Sequence, residues 1–359
     1  MIVKILHVIN SLVAAGAENL VVTLANEQVK TNDVSVFTFY SEKDVFAEKL
    51  DDRIDFKPHK GQNYFSTKKI YTLYKCIKAN DVIHVHLFPP FYIVAILSLF
   101  TRKKTLVFTE HNTKNSRRRS VLKPLEIFIY KRYSYIICIS DGVARELKAW
   151  MGNRINSITI KNVINTDYIN SIAPVDRDTL RLEDDEILLA MVGRFQEQKD
   201  QDTIIRALPA LPKNYNLLLI GEGEREEELK MLSKELDVEE RVHFMGVKKN
   251  VFGILKSCDV GIISSKWEGF GLVALEYMAS GLPALGSNNE GLKEVIGTSE
   301  ALFEIGNHTQ LSKLILKTTR DTAFKKQIQE TQKEHLHSFD LKKAIEEHQR
   351  VYKNKVTEC

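Results

Sequence analysis

The chain has 359 residues, 43% hydrophobic and 27% charged, which excludes a disordered chain and gives room for two ordinary globular domains, each with its own core. Its four cysteines, Cys76, Cys138, Cys258 and Cys359, stand far apart with no C-x-x-C pair, which argues against a zinc site and a disulfide framework and fits a reducing cytoplasm. The net charge of +4 divides unevenly: residues 1–165 carry 25 Lys/Arg and 14 Asp/Glu (+11), and residues 166–359 carry 26 and 33 (−7).

The opening "VKILHVI" is apolar too briefly, and alternates too quickly, for a signal peptide, and reads as a first strand. "LVAAGAEN", Leu12 to Asn19, is a glycine-containing turn into the first helix, where Gly16 can bring backbone N–H groups to a phosphate. "DVSVFTF", "DVIHVHL", "TLVFTEH" and "SYIICIS" read as the following strands. Several are apolar at nearly every position, as suits parallel strands covered on both faces. His84 and His86 fall on one face of a strand with no third metal ligand evident, and His111 closes the next strand, where a titratable imidazole is useful. The apolar run "FYIVAILSLF", Phe91 to Phe100, is well short of the roughly 20 residues that span a bilayer and is expected as a buried helix. Two basic clusters follow it, "TRKK" at Thr101 to Lys104 and "KNSRRR" at Lys114 to Arg119. With the +11 balance they point to an anionic partner for this half alone, a membrane surface or a phosphorylated acceptor; no nucleic-acid module is recognisable.

The polar stretch "NTDYINSIAPVDRDTLRLEDDE", Asn165 to Glu186, reads as a linker, so the domains are expected at 1–165 and 166–339. A polar helix and tail at 340–359 is expected to return toward the first domain. In the second half, strands "EILLAMVG", "YNLLLIG", "RVHFMG", "DVGIIS" and "LPALGS" alternate with amphipathic segments such as "DQDTIIRALPAL". Strand–helix alternation over this length means α/β, with doubly wound sheets of βαβ units.

In such sheets ligands bind beyond the C-terminal ends of the strands. Two stretches satisfy that rule. "AMVGRFQEQKDQDTII" places Arg194 and Lys199 where a strand turns into a helix, a fork and a point charge suited to phosphate oxygens. "DVGIISSKWEGFGLVALEYMASG" runs strand, glycine loop, helix; Gly269 and Gly271 let backbone approach a diphosphate at the helix start. Glu268 at the rim and Glu276 in the helix can each grip a pair of hydroxyls. "LLIGEGEREEE" begins like a dinucleotide fingerprint, but Glu226 holds the final glycine position among other acids, which would repel an anion.

Together these stretches resemble the retaining glycosyltransferases of family 4, whose GT-B fold sets two Rossmann-like doubly wound domains facing each other across a cleft. The E-x7-E pattern is Glu268 to Glu276, and the "GRF…K" pattern is Arg194 and Lys199. "LIGEG", "FMG", "CISDGVARELK", "KNVINTDYI" and the loop at Gly16 fall in the order of that family. Two departures stand out: Ala15-Gly16 replaces a common glycine pair, and Val163 replaces the glycine of Pro-Asn-Gly-Val-Asp.

The resemblance implies that Glu276 holds the nucleotide ribose, Glu268 meets donor-sugar hydroxyls, Arg194 and Lys199 neutralise the diphosphate, and His111 lies near the transferred sugar. Glu268, His111, Arg194 and Lys199 would then be catalytic, and Gly16, Arg194, Lys199, Gly269, Phe270, Gly271, Leu272 and Glu276 would bind donor. It implies a metal-independent hexosyltransferase with no cofactor beyond its donor, a UDP-sugar in preference to a GDP-sugar. A glycan or lipid-phosphate-linked acceptor of surface polysaccharide synthesis follows, met in the cytoplasm or peripherally at the inner membrane face. The competing readings are a sugar-nucleotide epimerase or hydrolase of the same architecture and a non-catalytic nucleotide-sugar-binding adaptor.

Overall fold

The computed structural model describes residues 2–13, 16–41, 44–61, 63–112, 118, 120–180 and 185–356. The chain divides into two units, Met1–Val163 with Leu341–Cys359, and Ile164–Asp340. In the first, β1 (Lys4–Ile9) leads through α1 (Gly16–Gln28) to β2 (Asp33–Thr38) and β3 (Asp55–Lys57). Then α2 (Thr67–Ala79) leads to β4 (Val82–His86), α3 (Pro90–Leu97) to β5 (Thr105–Glu110), α4 (Lys123–Tyr130) to β6 (Tyr135–Cys138), and α5 (Asp141–Met151) to β7 (Ser157–Thr159). Among the described residues these strands form one parallel sheet in the order β3-β2-β1-β4-β5-β6-β7.

The second unit opens with α6 (Thr166–Ser171), followed by β8 (Ile187–Val192), α7 (Gln201–Ala207), β9 (Tyr215–Ile220), α8 (Glu226–Glu235) and β10 (Val242–Gly246). It continues with α9 (Val251–Leu255), β11 (Val260–Ile263), α10 (Leu272–Ala279), β12 (Ala284–Ser287), α11 (Glu290–Ile296) and β13 (Leu302–Phe303), and closes with α12 (His308–Arg320) and α13 (Thr322–Leu336). Its described strands are also all parallel, in the order β10-β9-β8-β11-β12-β13. The last helix, α14 (Leu341–Val356), belongs to the first unit, where Ile345 packs with Leu20 and Leu24 of α1.

The apolar runs became strands for the reason their composition suggests. β4, β5 and β9 are buried at every residue, as parallel strands under helices on both faces must be. The order of each sheet reverses at one place, between β1 and β4 in the first unit and between β8 and β11 in the second. At such a switch point the loops leaving neighbouring strands run to opposite sides and leave a crevice.

Two expectations need correction. "FYIVAILSLF" is not wholly buried: α3 stops at Leu97, a 3-10 turn covers Ser98–Phe100, and although Phe91, Ile93, Val94 and Ala95 are buried, Ile96, Leu99 and Phe100 are exposed. The expected linker also carries structure. Asn165 caps α6 by accepting from the Tyr168 N–H, and Arg177 donates to Asp259 at 3.0 Å, which binds this polar stretch to the second unit. No helix among the described residues is long and apolar enough to cross a membrane.

Candidate functional site

The loops after β8 and β11 flank the switch point of the second sheet. These strands pair only at Val260↔Leu189 and Gly261↔Ala190. Beyond that the Tyr277 hydroxyl bridges them, accepting from the Val192 N–H at 2.8 Å and donating to the Ile262 carbonyl at 3.3 Å. Gly261 makes room for this: a Cβ there would lie 2.3 Å from the Tyr277 ring. The tyrosine, one residue past Glu276, escaped the sequence reading because only the strand register shows what it spans.

The two loops are laced together. The Lys266 N–H donates to the Gln198 carbonyl at 2.8 Å, Gln198 Nε2 to the Trp267 carbonyl at 2.9 Å, and Ser264 Oγ to the Asp200 carbonyl at 2.7 Å. At the centre Lys199 Nζ donates to Glu268 Oε1 at 2.6 Å, and Ser265 Oγ donates to the same oxygen at 2.7 Å. The structure therefore joins two residues that the sequence reading placed in separate roles. An ammonium has three donors, so Lys199 can hold Glu268 and still offer N–H groups to an anion. Glu268 is buried and its partner only partly exposed, so the pair is screened less than a surface pair.

Arg194 is exposed on the β8 loop, with its carbonyl held by Gln201 Nε2 at 2.9 Å. Gly271 caps α10 in the left-handed region at φ +99°, and a Cβ there would stand 2.6 Å from Leu292 Cδ2. Only glycine fits that turn without strain. Its neighbours differ in exposure: Gly269 is half-buried, while Phe270 and Leu272 are buried, Phe270 edge-on to Phe339. Glu276 is half-buried, one turn beyond the start of α10. A further close approach went unread in the sequence: a Cβ on Gly291 of α11 would meet the Glu268 carbonyl at 2.6 Å, so α11 supports the Glu268 loop from behind. The glycines of "LIGEG" serve packing. Cβ atoms on Gly221 and Gly223 would strike the backbones of Gly193 and Phe195.

In the first unit Gly16 opens α1 after β1 and is exposed; Ala14 and Ala15 lie outside the described residues. His111 follows β5, buried, with Nε2 lacking a hydrogen-bond partner among the described residues, and burial pushes its pKa down to about 4. Arg118 differs from an outward-facing cation: its side chain is largely buried, with Nη2 3.9 Å from Glu110 Oε2. Lys114, Arg117 and Arg119 lie outside the described residues.

His84 and His86 do share a face, and the register adds the imidazole the sequence did not show, His7 on β1, opposite His84. All three are buried, within 4.8 Å of one another by one ring nitrogen each. His348 of α14 lies beyond, its ring 5.8 Å from that of His84. The ring nitrogens of His84 are taken by the Tyr352 hydroxyl at 2.6 Å and Thr109 Oγ1 at 2.7 Å. His7 bonds Gln28 Oε1 at 2.8 Å and His86 Nε2 at 3.2 Å. This is a hydrogen-bonded histidine core joining β1, β4, β5 and α14. Cys76, Cys138 and Cys258 are unbridged, and Cys359 lies outside the described residues.

Residues 173–335 match the family model for glycosyl transferases group 1, and residues 14–168 the model for glycosyltransferase family 4. The chain is 26% identical over 287 residues to the N-acetyl-alpha-D-glucosaminyl L-malate synthase of Bacillus anthracis, covering 76% of this chain and 74% of that protein. It is 27% identical over 269 residues to a Campylobacter jejuni N-acetylgalactosamine-N,N'-diacetylbacillosaminyl-diphospho-undecaprenol 4-alpha-N-acetylgalactosaminyltransferase, covering 72% and 73%. The fold matches that of Anabaena Alr3699/HepE in complex with UDP-glucose with a TM-score of 0.86, at 21% identity over 99% of this chain and all of that one.

Proposed function

Since the chain belongs to the group 1, family 4-type glycosyltransferases and has the GT-B fold, we propose that it is a retaining, metal-independent hexosyltransferase that takes its sugar from a UDP-sugar and gives it to a lipid-linked or glycan acceptor in surface polysaccharide synthesis. The observation that carries this reading is the pair of laced loops at the β8–β11 switch point, with Arg194 and Lys199 on one and Glu268 and Glu276 at and beyond the other. Breaking the sugar–phosphate bond leaves negative charge on the diphosphate. The two cations and the N-terminus of α10 favour that charge, and Lys199, already held by Glu268, does so with little reorganisation. Lys199 is fixed for this by Glu268, whose second oxygen is the one left for donor-sugar hydroxyls. Glu276 takes the ribose hydroxyls. No protein nucleophile is required: the acceptor hydroxyl attacks from the face the diphosphate leaves, and a phosphate oxygen accepts its proton.

A UDP-sugar is supported by the UDP-glucose of the Anabaena neighbour, and a lipid-linked acceptor by the diphospho-undecaprenol in the name of the Campylobacter relative. Such an acceptor places the work at the cytoplasmic face of the inner membrane. The test is a panel of nucleotide sugars screened for thermal stabilisation, which rises with occupancy of the native state. The best donor is then turned over in the presence of chelator and the product anomer read by NMR. Stabilisation by UDP-sugars and a product with the donor's anomeric configuration are expected. A donor consumed only as free sugar would favour the hydrolase, and binding without turnover against any acceptor preparation the adaptor.

A further inference from the structure

We propose that His7, His84 and His86 bind one divalent ion of the zinc class, as a structural site of the first unit that takes no part in the transfer reaction proposed above. The three imidazoles stand on two adjacent parallel strands: His7 of β1 pairs with His84 of β4, and His86 lies two residues on along the same face. All are fully buried, and one ring nitrogen from each lies within 4.8 Å of the other two. Among the described residues no other group of His, Cys, Asp or Glu gathers its ligand atoms this closely. Burial keeps the rings neutral, as metal ligands must be.

The outer contacts of these rings aim their inner nitrogens. His7 Nε2 donates to Gln28 Oε1 at 2.8 Å, which leaves the Nδ1 lone pair facing His86. Gln28 is itself oriented by Tyr352, to whose hydroxyl its Nε2 donates at 3.3 Å. His84 Nε2 donates to Thr109 Oγ1 at 2.7 Å, which leaves Nδ1 as the bare nitrogen of that ring. Metal-bound histidines are oriented in this way, with the outer N–H held by a polar partner. The spacing fits as well. Bonds of about 2.0–2.1 Å at a tetrahedral angle set two ligand nitrogens about 3.3 Å apart. His7 Nδ1 and His86 Nε2 are 3.2 Å apart, the long limit for a hydrogen bond between them. His84 Nδ1 meets the Tyr352 hydroxyl at 2.6 Å, a contact that the ion would displace. Three imidazoles without a carboxylate select a transition metal over calcium or magnesium, and a closed nitrogen shell suits zinc. A site shut off from solvent is loaded as the chain folds, so brief chelation of the folded protein should leave the ion in place.

Elemental analysis of the tag-free full chain, expressed in minimal medium with zinc or with cobalt as the added metal, tests this. The zinc-grown chain should hold about one zinc after gel filtration and melt at a higher temperature than chain grown without added metal. The cobalt-grown chain should show the visible absorption of a four-coordinate cobalt site without the near-ultraviolet band of a thiolate ligand. His7→Gln and His84→Gln should each lose most of the bound metal, while His308→Gln, at an exposed position on α12, should keep it. If either core variant fails to fold, the metal content and cobalt spectrum of the wild-type chain decide. A wild-type chain without metal, a thiolate band, or full metal content in both core variants would overturn the assignment and leave the core held by hydrogen bonds alone. UDP is titrated separately into zinc-grown chain and chain grown without added metal, and equal affinity is expected. Loss of UDP binding with the metal retained would count against the transfer reading and not against this site.

Discussion

Lys199 and Glu268 are separated by 69 positions in the sequence and by 2.6 Å in the fold. Motif reading found both residues and could not pair them, because the pairing depends on β8 lying next to β11. The pair has a measurable consequence. Lys199→Met leaves the buried Glu268 carboxylate without its cation and should lower the stability of the second unit by about 1–3 kcal/mol. Adding Glu268→Gln should recover part of that loss, with a coupling of about 1 kcal/mol or more in the double-mutant cycle. Urea unfolding followed by Trp267 in a Trp150→Phe background reads it, and strictly additive losses would contradict the pairing. Gly271 offers a second test. Its φ of +99° and the nearby Leu292 leave no room for a methyl group. Gly271→Ala should cost about 1–2 kcal/mol and weaken UDP binding by shifting the start of α10. Full stability with full affinity would show that the turn is not part of the site.

At the scale of elements, α14 and the histidine core decide how the first unit responds to acid. Burial holds His7, His111 and His348 at pKa values of about 4, and His84 and His86 well below the ordinary value. Unfolding returns each to about 6.5. Between those values the unfolded chain binds more protons than the folded one, so stability rises with pH. The contribution is complete above about 6.5 and is lost as pH falls toward 4. Urea unfolding followed by Trp150 in a Trp267→Phe background should weaken by more than about 1.4 kcal/mol per unit between pH 6 and 5, the slope of a single proton. His348→Leu should reduce that slope. A flat profile would contradict neutral burial. Truncation before Leu341 should destabilise the first unit by several kcal/mol, on the order of 1.5–3 for each large buried side chain lost, since Ile345, Val351 and Tyr352 are all buried. An unchanged Trp150 transition would show that α14 is dispensable.

These elements also mark what the sequence could express. Central strands were legible because a strand covered on both faces is mostly apolar, as β8 and β11 are. The edge strands β3, β7 and β13 were not, being two or three residues long, two of them with "DFK" and "SIT" in place of an apolar run. His7 sat unnoticed in a recognised strand, because only parallel register sets it opposite His84. The exposed side of α3 is not legible in its sequence, because an all-apolar helix has no polar stripe to tell a buried face from one left open.

For the whole molecule, two parallel sheets and the positions of the chemistry-bearing residues make one account. The site residues named from sequence stand at C-terminal ends of strands or in the helices that follow: Arg194 and Lys199 after β8, Glu268 to Glu276 after β11, Gly16 after β1 and His111 after β5. Their order along the chain was legible as motifs; that the β8 and β11 loops flank a switch point was not, since strand order is set by long-range pairing. The charge division falls on the same architecture, with the basic half in the first unit. The proposed site requires that the β8 and β11 loops grip a nucleotide diphosphate. Calorimetric titration of UDP and of uridine into the wild-type chain and Arg194→Ala tests it most directly. The variant should lose about 10- to 100-fold in affinity for UDP, the worth of a charge-assisted hydrogen bond, while uridine binding is unchanged. Equal losses for the two ligands, or a wild-type chain that binds UDP no better than uridine, would contradict it.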